Sequence, residues 1–460
     1  MTMAKLEALS RAPGGSPLRD ESGGRLSQRF ASLRSRVLAS MGALLLGQGV
    51  SAGIQLLSLP LFLHFWDTAH YGKWVILTAV PAYFAMSDGG MLPVAANRIT
   101  MLWAANDRAT ANVVFQSALA LVLAAVALVG GLSALVLAFI DSSYFDTDSR
   151  LALWLLILAT LLGLFGGLYD SGFRAIGNYA QGVLFTSAIR VVEFGGIGIG
   201  LTIGGTFTSA ALGFLVGRAS GSLVLGLYCR QAFPELRWSV THASGGELRT
   251  LLQPALAYMA FPLGNALSIQ AITLVVGALF GSVVVATFST YRTLSRLVLQ
   301  LVSSLGHALW PEFSRLYGAG SRSTLLRVYK RSLVMGSTIS VLLSLGMILV
   351  APILLQWWTH DKISFDGPVF DFFALMTLLG GLATVPRVLL MSTNRHSRLG
   401  VLFLCLSALG VLGTYAAGEL LGPMGAVLAS AVLEASMLLL TSNLARAALA
   451  DMSPSLPTEV

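Results

Sequence analysis

The chain is built from apolar runs about as long as a bilayer core is thick. A helix of about 20 residues crosses a hydrocarbon layer of about 30 Å. Of the 460 residues, 55% are hydrophobic and 11% are charged, roughly half the charged fraction of a soluble domain. The sequence therefore predicts an all-α polytopic membrane protein with twelve transmembrane helices. They are predicted to span residues 37–65, 73–93, 111–139, 151–171, 180–204, 207–230, 252–279, 282–306, 331–357, 369–391, 399–418 and 423–446.

Positive charges predict the orientation of these helices. Most of the 29 Lys and Arg residues fall in alternate connections and in the two tails. The intervening connections hold only Lys73, Arg150 and Lys362, and two of them, residues 141–150 and 359–366, are acidic. Because Lys and Arg concentrate on the cytoplasmic side of membrane proteins, we expect both termini to be cytoplasmic.

The two halves of the chain resemble each other. "LFGGLYDSGFRAIGN" (164–178) ends predicted helix four, and "LLGGLATVPRVLLMSTN" (378–394) ends predicted helix ten. Both carry GGL followed by an arginine and an asparagine. An even helix count per half makes the internal repeat parallel. The predicted divisions are a disordered basic N-terminal tail (1–36), a six-helix lobe (37–230), a cytoplasmic linker (231–251), a second six-helix lobe (252–446) and a cytoplasmic C-terminal tail (447–460).

Several classes of function are disfavoured. The two cysteines and six scattered histidines have no metal-ligand spacing, and no cofactor motif is found. "GGIGIGLTIGG" (195–205) lies inside a predicted membrane helix, so it is no phosphate loop. The net charge of +8 is concentrated at the membrane edges and does not indicate nucleic-acid binding. No predicted outer loop exceeds about a dozen residues, too short for a catalytic domain, so we expect no enzyme.

Charged residues inside the predicted helices are candidate functional groups, because each is costly in hydrocarbon. Arg292 and Arg296 are four residues apart and share one helix face. Such a pair needs either acids opposite it or an anionic ligand. The set sums to a net charge of +1, which favours the ligand. Its seven members are Asp88, Arg190, Glu193, Arg218, Arg292, Arg296 and Glu434.

Other members of this set have structural interpretations that the sequence leaves open. Arg190 and Glu193, at i and i+3, could satisfy each other. Arg218 and Glu434 could join helices. Asp88 precedes two glycines and a proline, so it could cap a broken helix or bind a coupling ion.

Polar residues on the first helix of each half predict a wet cavity. Gln48, Ser51 and Gln55 recur at helical spacing on helix one, and such a stripe does not face lipid. Helix seven carries Asn265 and Gln270 together with two prolines, which predict a bend.

Three stretches resemble a known family. They are "LLLGQGVSAGIQLLSLPLFLHFWDTAHYGKWVILTAVPAYFAMSDGG" (44–90), "GLYDSGFRAIGNYAQG" (167–182) and "ATFSTYRTLSRLVLQLVSSLGHALWPEFSRLYGAGSRSTLLRVYKR" (286–331). They are similar to the polysaccharide transporter (Wzx-type) flippases of the MOP superfamily, which are relatives of the lipid II flippases and the MATE antiporters. The resemblance covers residues 37–446. It implies two six-helix lobes around a V-shaped central cavity.

The resemblance also implies a substrate. Family members move an oligosaccharide linked to undecaprenyl pyrophosphate from the cytoplasmic to the periplasmic leaflet of the bacterial inner membrane. Arg292 matches a cavity cation of the lipid II branch by helix and depth, and Asp88 fits a "D-x-G"-like feature. Helix one has no arginine and no thirteenth or fourteenth helix is predicted. Both departures favour the polysaccharide branch.

The sequence is therefore interpreted as a flippase working by alternating access, with no cofactor. Membrane lipids and H⁺ or Na⁺ are the expected further partners, glycan-assembly proteins are conceivable, and a monomer suffices. A MATE-type exporter of cations and a membrane glycan ligase or polymerase are the alternatives. The expected roles are diphosphate binding by Arg190, Arg218, Arg292 and Arg296, cavity lining or sugar binding by Gln48, Ser51, Gln55, Asn265 and Gln270, and ion coupling by Asp88, Glu193 and Glu434.

Overall fold

In a computed structural model, the chain is almost entirely helical. The structure describes residues 20–139, 146–318, 321–393, 395 and 397–451. The helices are α1 (Asp20–Phe65), α2 (Thr68–Ala79), α3 (Pro81–Phe84), α4 (Met91–Ala104), α5 (Arg108–Phe139), α6 (Thr147–Leu162), α7 (Phe165–Ala175), α8 (Tyr179–Gly204), α9 (Phe207–Ala232), α10 (Gly245–Ala266), α11 (Ile272–Gly318), α12 (Arg322–Thr359), α13 (Gly367–Leu382), α14 (Thr384–Ser392) and α15 (Ser397–Ala450).

These helices confirm the predicted membrane architecture. Within the described residues, nine helical stretches are long and apolar enough to cross a membrane. Tyr258–Gly306 and Arg398–Ala450 each contain two of the predicted helices. The remaining predicted helix, the second, is divided among α2, α3 and α4. Large apolar side chains such as Leu128, Ile203 and Leu349 are 72%, 82% and 77% exposed, as lipid-facing residues should be.

Glycine marks the turns that the long helices contain. Gly281 (φ 79°) interrupts α11 and Gly422 (φ 68°, ψ −158°) interrupts α15. Each separates two antiparallel predicted helices. Gly89 and Gly90, with φ of 60° and 75°, end the broken part of the second helix. L-residues with side chains rarely adopt these conformations, so the sequence could place its turns only at such positions.

One predicted boundary differs from the structure. Residues 20–36 were expected to be disordered, but α1 begins at Asp20. The part of the expected tail before Asp20 lies outside the described residues. At the other end, α15 continues to Ala450, and residues 452–460 are likewise outside the described part.

Small residues let neighbouring helices of the first half pack closely. A Cβ atom on Gly196 would overlap the carbonyl group of Gly213, and one on Gly200 would overlap that of Ser209. The backbones of α8 and α9 therefore approach each other directly, as small residues permit in membranes. This is the structural use of the glycine-rich stretch 195–205.

The two halves meet at both ends of the molecule. At the end opposite the basic connections, α2 packs against α11, and Gly72 touches the carbonyl group of Ser282 so closely that a Cβ atom would overlap it. At the basic end, Arg98 on α4 pairs with Glu247 on α10 at 2.8 Å and donates to the Thr250 hydroxyl at 2.7 Å.

A π-helical turn, Leu267–Ala271, joins α10 to α11. π-helical turns contain one residue more per turn than an α-helix and occur often at functional sites. This turn lies in predicted helix seven, beyond Pro254 and Pro262. It brings a backbone carbonyl group and a threonine hydroxyl to the arginines of predicted helix eight.

A candidate cationic cavity in the second half

A cavity of about 360 Å³ lies among α10, the π-helical turn, α11, α13, α14 and α15. Its apolar wall includes Phe373, Phe403 and Met437. Its polar side chains come from all six of these elements. Those that carry charge or an amide are Asn265, Arg292, Arg296, Gln300, Arg387 and Glu434.

Arg292 is held by neutral acceptors. Its Nη1 donates to the Ile269 carbonyl oxygen at 2.9 Å and to Thr273 Oγ1 at 2.8 Å. The Thr273 hydroxyl itself donates to Ile269 O at 2.7 Å, which leaves its lone pairs for the guanidinium. The guanidinium carbon also lies 5.6 Å from the centre of the Phe288 ring. Among the described residues, no carboxylate lies within ion-pair distance of Arg292.

The cavity has more positive than negative charge. Arg296 acts electrostatically on Arg292, as the spacing of the pair predicts. Glu434 is the single acid in the described lining. The positive charge of Arg387 attracts its carboxylate electrostatically. Three guanidinium groups and one carboxylate give a formal net charge of +2. An anionic group entering this space would find donors without first displacing a bound carboxylate from Arg292.

The three arginines lie at successive depths. Counted from the glycine turn at Gly281, with 1.5 Å per helical residue, Arg292 is about 16 Å and Arg296 about 22 Å along α11. Arg387 is followed by Val388, which a Cβ atom on Gly306 would touch, at the basic end of this part of α11. Arg387 thus lies nearest the basic end of the molecule, and the cations form a row that leads from that end to the middle of the membrane.

Sequence reasoning missed Arg387. It falls in the repeat stretch 378–394 but was counted with the basic connections. The helix breaks between α13 and α14 at Ala383. Arg387 follows this break and lines the cavity. The repeated GGL and arginine were the available signal, because residues that recur in both halves occupy equivalent structural positions.

Arg218 and Glu193 form an ion pair in the first half. Arg218 Nε on α9 lies 2.5 Å from Glu193 Oε1 on α8. Glu193 is 6% exposed, and the Arg218 guanidinium lies 5.1 Å from the Phe214 ring centre. Glu193 therefore pairs across two helices with Arg218, and not with Arg190 on its own helix. Neither residue is in the cationic cavity described above.

Arg190 points at helix one. Its Nη1 donates to the Ser51 hydroxyl at 2.7 Å, and that hydroxyl donates to the Gly47 carbonyl oxygen at 3.0 Å. The Ser51 hydroxyl on α1 thus bonds back to its own helix and accepts from an arginine. The Thr273 hydroxyl near the start of α11 does the same with Arg292. Gln48 and Gln55 are half-buried on the same helix.

Asp88 has the capping role that is one of the two interpretations of its sequence. Its Oδ2 accepts from the Leu92 backbone N–H at 3.0 Å, so it caps the start of α4. It is 7% exposed and lines a second cavity of about 320 Å³, at the basic end of the seam between α4, α7 and α10. That cavity also contains Asp170 and Arg174, which pair at 2.5 Å.

The remaining predicted residues lie on helix seven. Asn265 lines the cationic cavity, and Gln270 is on the π-helical turn itself. In the described part of the chain, no group of three or more His, Cys, Asp or Glu side chains is placed to hold a metal ion.

Known structures share this fold. An inward-facing multidrug resistance MATE family transporter of the MOP superfamily is 15% identical, with 87% of this chain and 98% of that one covered and a TM-score of 0.67. The lipid II flippase MurJ, in an inward closed conformation, is 12% identical, with 88% and 87% covered and a TM-score of 0.67. A MOP superfamily transporter from Pyrococcus furiosus, described by a reverse polarity of its binding pocket that suggests a different function, is 14% identical, with 91% and 96% covered and a TM-score of 0.61.

No family model matches the sequence, and no curated protein matches it. The structural likeness, at these identities, establishes the fold of the MOP transporters. The chain is a multi-pass membrane protein with that fold.

Proposed function

We propose that this protein is a flippase that moves an oligosaccharide on undecaprenyl pyrophosphate across the membrane, as the repeat unit of an O-antigen, capsule or exopolysaccharide. Movement from the cytoplasmic to the periplasmic leaflet of a bacterial inner membrane would occur by alternating access of the two halves. The observation that carries the proposal is the cavity of net charge +2, in which Arg292 is oriented by neutral groups.

A diphosphate suits this cavity chemically. Guanidinium groups bind phosphate oxygens through paired N–H donors and stay charged when desolvated. Arg292 and Arg296 are the proposed primary ligands. The sugars would meet amide and hydroxyl groups of Gln48, Ser51, Gln55, Asn265 and Gln270. Arg190 and Arg218, which are engaged with Ser51 and Glu193, are proposed to meet the substrate only when the halves rearrange.

The cycle also needs an energy source. Asp88, Glu193 and Glu434 are proposed to respond to H⁺, Na⁺ or the membrane potential, because buried carboxylates are the common carriers of coupling charge in membrane proteins. Asp88 lies at the seam between the halves, where a change in its charge would act on their contact. Membrane lipids surround the protein, and one copy contains the whole proposed path.

The fold is also that of MATE transporters, so export of a cationic drug is the natural rival. Three arginines against one carboxylate would repel a cation entering this cavity. The cavity charge therefore favours an anionic substrate over a cationic one.

The experiment is flipping of a fluorescent lipid-diphosphate oligosaccharide in proteoliposomes. Wild-type protein is expected to move the probe, and Arg292→Gln/Arg296→Gln is expected to lose at least 90% of the rate, because both proposed primary phosphate ligands are gone. Arg398→Gln, an exposed arginine outside the cavity lining, is the matched control. Wild-type protein that moves ethidium but not the lipid probe would overturn the proposal in favour of drug export.

A further inference from the structure

Arg387 and Glu434 have no place in the phosphate contacts proposed for Arg292 and Arg296, yet both line the same cavity. Glu434 is on the half of α15 that follows Gly422, about 18 Å from that turn, near the depth of Arg292. One of its carboxylate oxygens would lie 3.6 Å from a Cβ atom on Gly380. The carboxylate therefore lies within van der Waals reach of α13 at Gly380.

The chemistry of phosphate esters gives these two residues a role. A diphosphate diester carries two negative charges at neutral pH, one on each phosphate, whereas a monophosphate diester carries one. An ion in a low-dielectric site is stabilised when the surrounding charge neutralises it, and an excess of either sign is costly. A site of net charge +2 therefore fits the first ligand and leaves one charge uncompensated with the second.

We propose that Arg387 and Glu434 are specificity-determining residues whose opposite charges balance, so that the cavity keeps the net charge of +2 supplied by Arg292 and Arg296, matched to a lipid-linked diphosphate diester and not to a monophosphate. The inference rests on the proposed function and adds two residues that select the diphosphate. Arg387 and Glu434 line the same cavity, where their opposite charges offset each other in the net charge. When the diphosphate enters, Arg387, the cation nearest the basic end, meets it first, and Arg296 and Arg292 follow.

Each variant of these two residues changes the net charge of the cavity by a defined amount. Arg387→Gln lowers the net charge to +1, and Glu434→Gln raises it to +3. The double variant Arg387→Gln/Glu434→Gln returns it to +2 with Arg292 and Arg296 alone. A residue that acted only by touching the substrate could not be rescued by removing a second charged residue.

The test measures binding and flipping of two fluorescent probes of equal chain length, a polyprenyl diphosphate-linked N-acetylglucosamine and a polyprenyl monophosphate-linked hexose. Wild type is expected to prefer the diphosphate. Arg387→Gln is expected to reduce that preference at least tenfold, Arg387→Lys to preserve it, and the double variant to restore most of it. Glu434→Gln is expected to bind the diphosphate more tightly and to release it more slowly.

Exposed residues provide the controls. Arg398→Gln and Glu419→Gln change the same charges outside the cavity lining and are expected to leave the preference unchanged. If wild type flips the diphosphate but Arg387→Gln keeps the wild-type preference, the inference fails and the flippase proposal stands. A double variant no better than Arg387→Gln alone would also overturn the inference. If wild type flips neither probe, both proposals fail together.

Discussion

At the residue scale, the molecule shows how a membrane protein keeps an arginine charged without a fixed counter-ion. Arg292 has two neutral acceptors, and one of them, the Thr273 hydroxyl, is oriented by its own bond back to the π-helical turn. Arg218 has the opposite arrangement, a buried carboxylate at 2.5 Å. The charge of Arg292 is therefore left without a paired carboxylate, whereas the charge of Arg218 is neutralised by Glu193.

The Thr273 hydroxyl should matter more for transport than for stability. Thr273→Val keeps the volume of the side chain but removes one acceptor from Arg292. A hydrogen bond to a charged group contributes about 1.5–3 kcal/mol, so we expect flipping to fall roughly tenfold while the melting temperature changes by a few degrees at most. Thr287→Val removes an exposed hydroxyl that bonds only Val283 on its own helix and should retain normal flipping. Equal losses in both variants would contradict this role.

The Glu193–Arg218 pair should behave as a structural unit. Removing one partner leaves a buried charge uncompensated, at a cost of about 3–5 kcal/mol. We therefore expect Glu193→Gln and Arg218→Gln each to lower the melting temperature clearly, and the double variant to recover much of the loss. Tryptophan fluorescence during heating in detergent measures this. Additive losses in the double variant would mean that the two residues act separately.

Residue types could be found from the sequence, but their partners could not. The excess of positive intramembrane charge and the shared face of Arg292 and Arg296 were readable from spacing. The pairing of Glu193 with α9 depends on how α8 and α9 pack, which the local sequence does not specify. Arg387 was missed because depth was counted along one unbroken helix, whereas α13 and α14 are separated by a break at Ala383.

At the scale of elements, glycine controls where the long helices reverse. Apolar periodicity predicted all twelve membrane helices, since every one must satisfy its backbone internally. It did not predict the division of helix two into α2, α3 and α4, because a proline at Pro81 and two left-handed glycines there leave the apolar composition unchanged. Hydropathy reports length and burial, while breaks depend on backbone conformation.

The Gly281 turn should tolerate no side chain. With φ at 79°, an alanine there would be strained by about 1–2 kcal/mol. We expect Gly281→Ala to lower the melting temperature, and Gly131→Ala to be neutral or stabilising, because Gly131 is helical with open space around it. Thermal unfolding of the two variants side by side gives the comparison. A neutral Gly281→Ala would mean that the turn adopts another conformation.

At the scale of the whole molecule, the halves touch at two levels with the cationic cavity at an intermediate depth. The repeated GGL stretches predicted two equivalent halves. They could not predict which helices of different halves meet, because the α2–α11 and α4–α10 contacts depend on how the halves pack in three dimensions.

The Gly72–Ser282 contact should control access to the space between the halves from the end opposite the basic connections. Gly72→Leu would push α2 away from α11 and favour a state open at that end. In a background lacking Cys229 and Cys405, we expect a cysteine at Ser289 to react with a membrane-impermeant maleimide at least ten times faster when Gly72→Leu is present. Gly131→Leu, facing open space on α5, is the control. Unchanged labelling would show that α2 and α11 do not form this gate.

The contact at Ser282 has a mechanical consequence. From Ser282 to Gly306, α11 is an uninterrupted helix, about 36 Å long at 1.5 Å per residue. If it pivots about its contact with Gly72, a tilt of about 20° moves Arg292 by about 5 Å but the far end by about 13 Å. The helix is then a lever with the site near its fulcrum. The end of α11 away from Gly72 can then move far enough to admit a bulky glycan. Arg292 and Arg296 keep their spacing during this movement, so opening does not disturb the binding site.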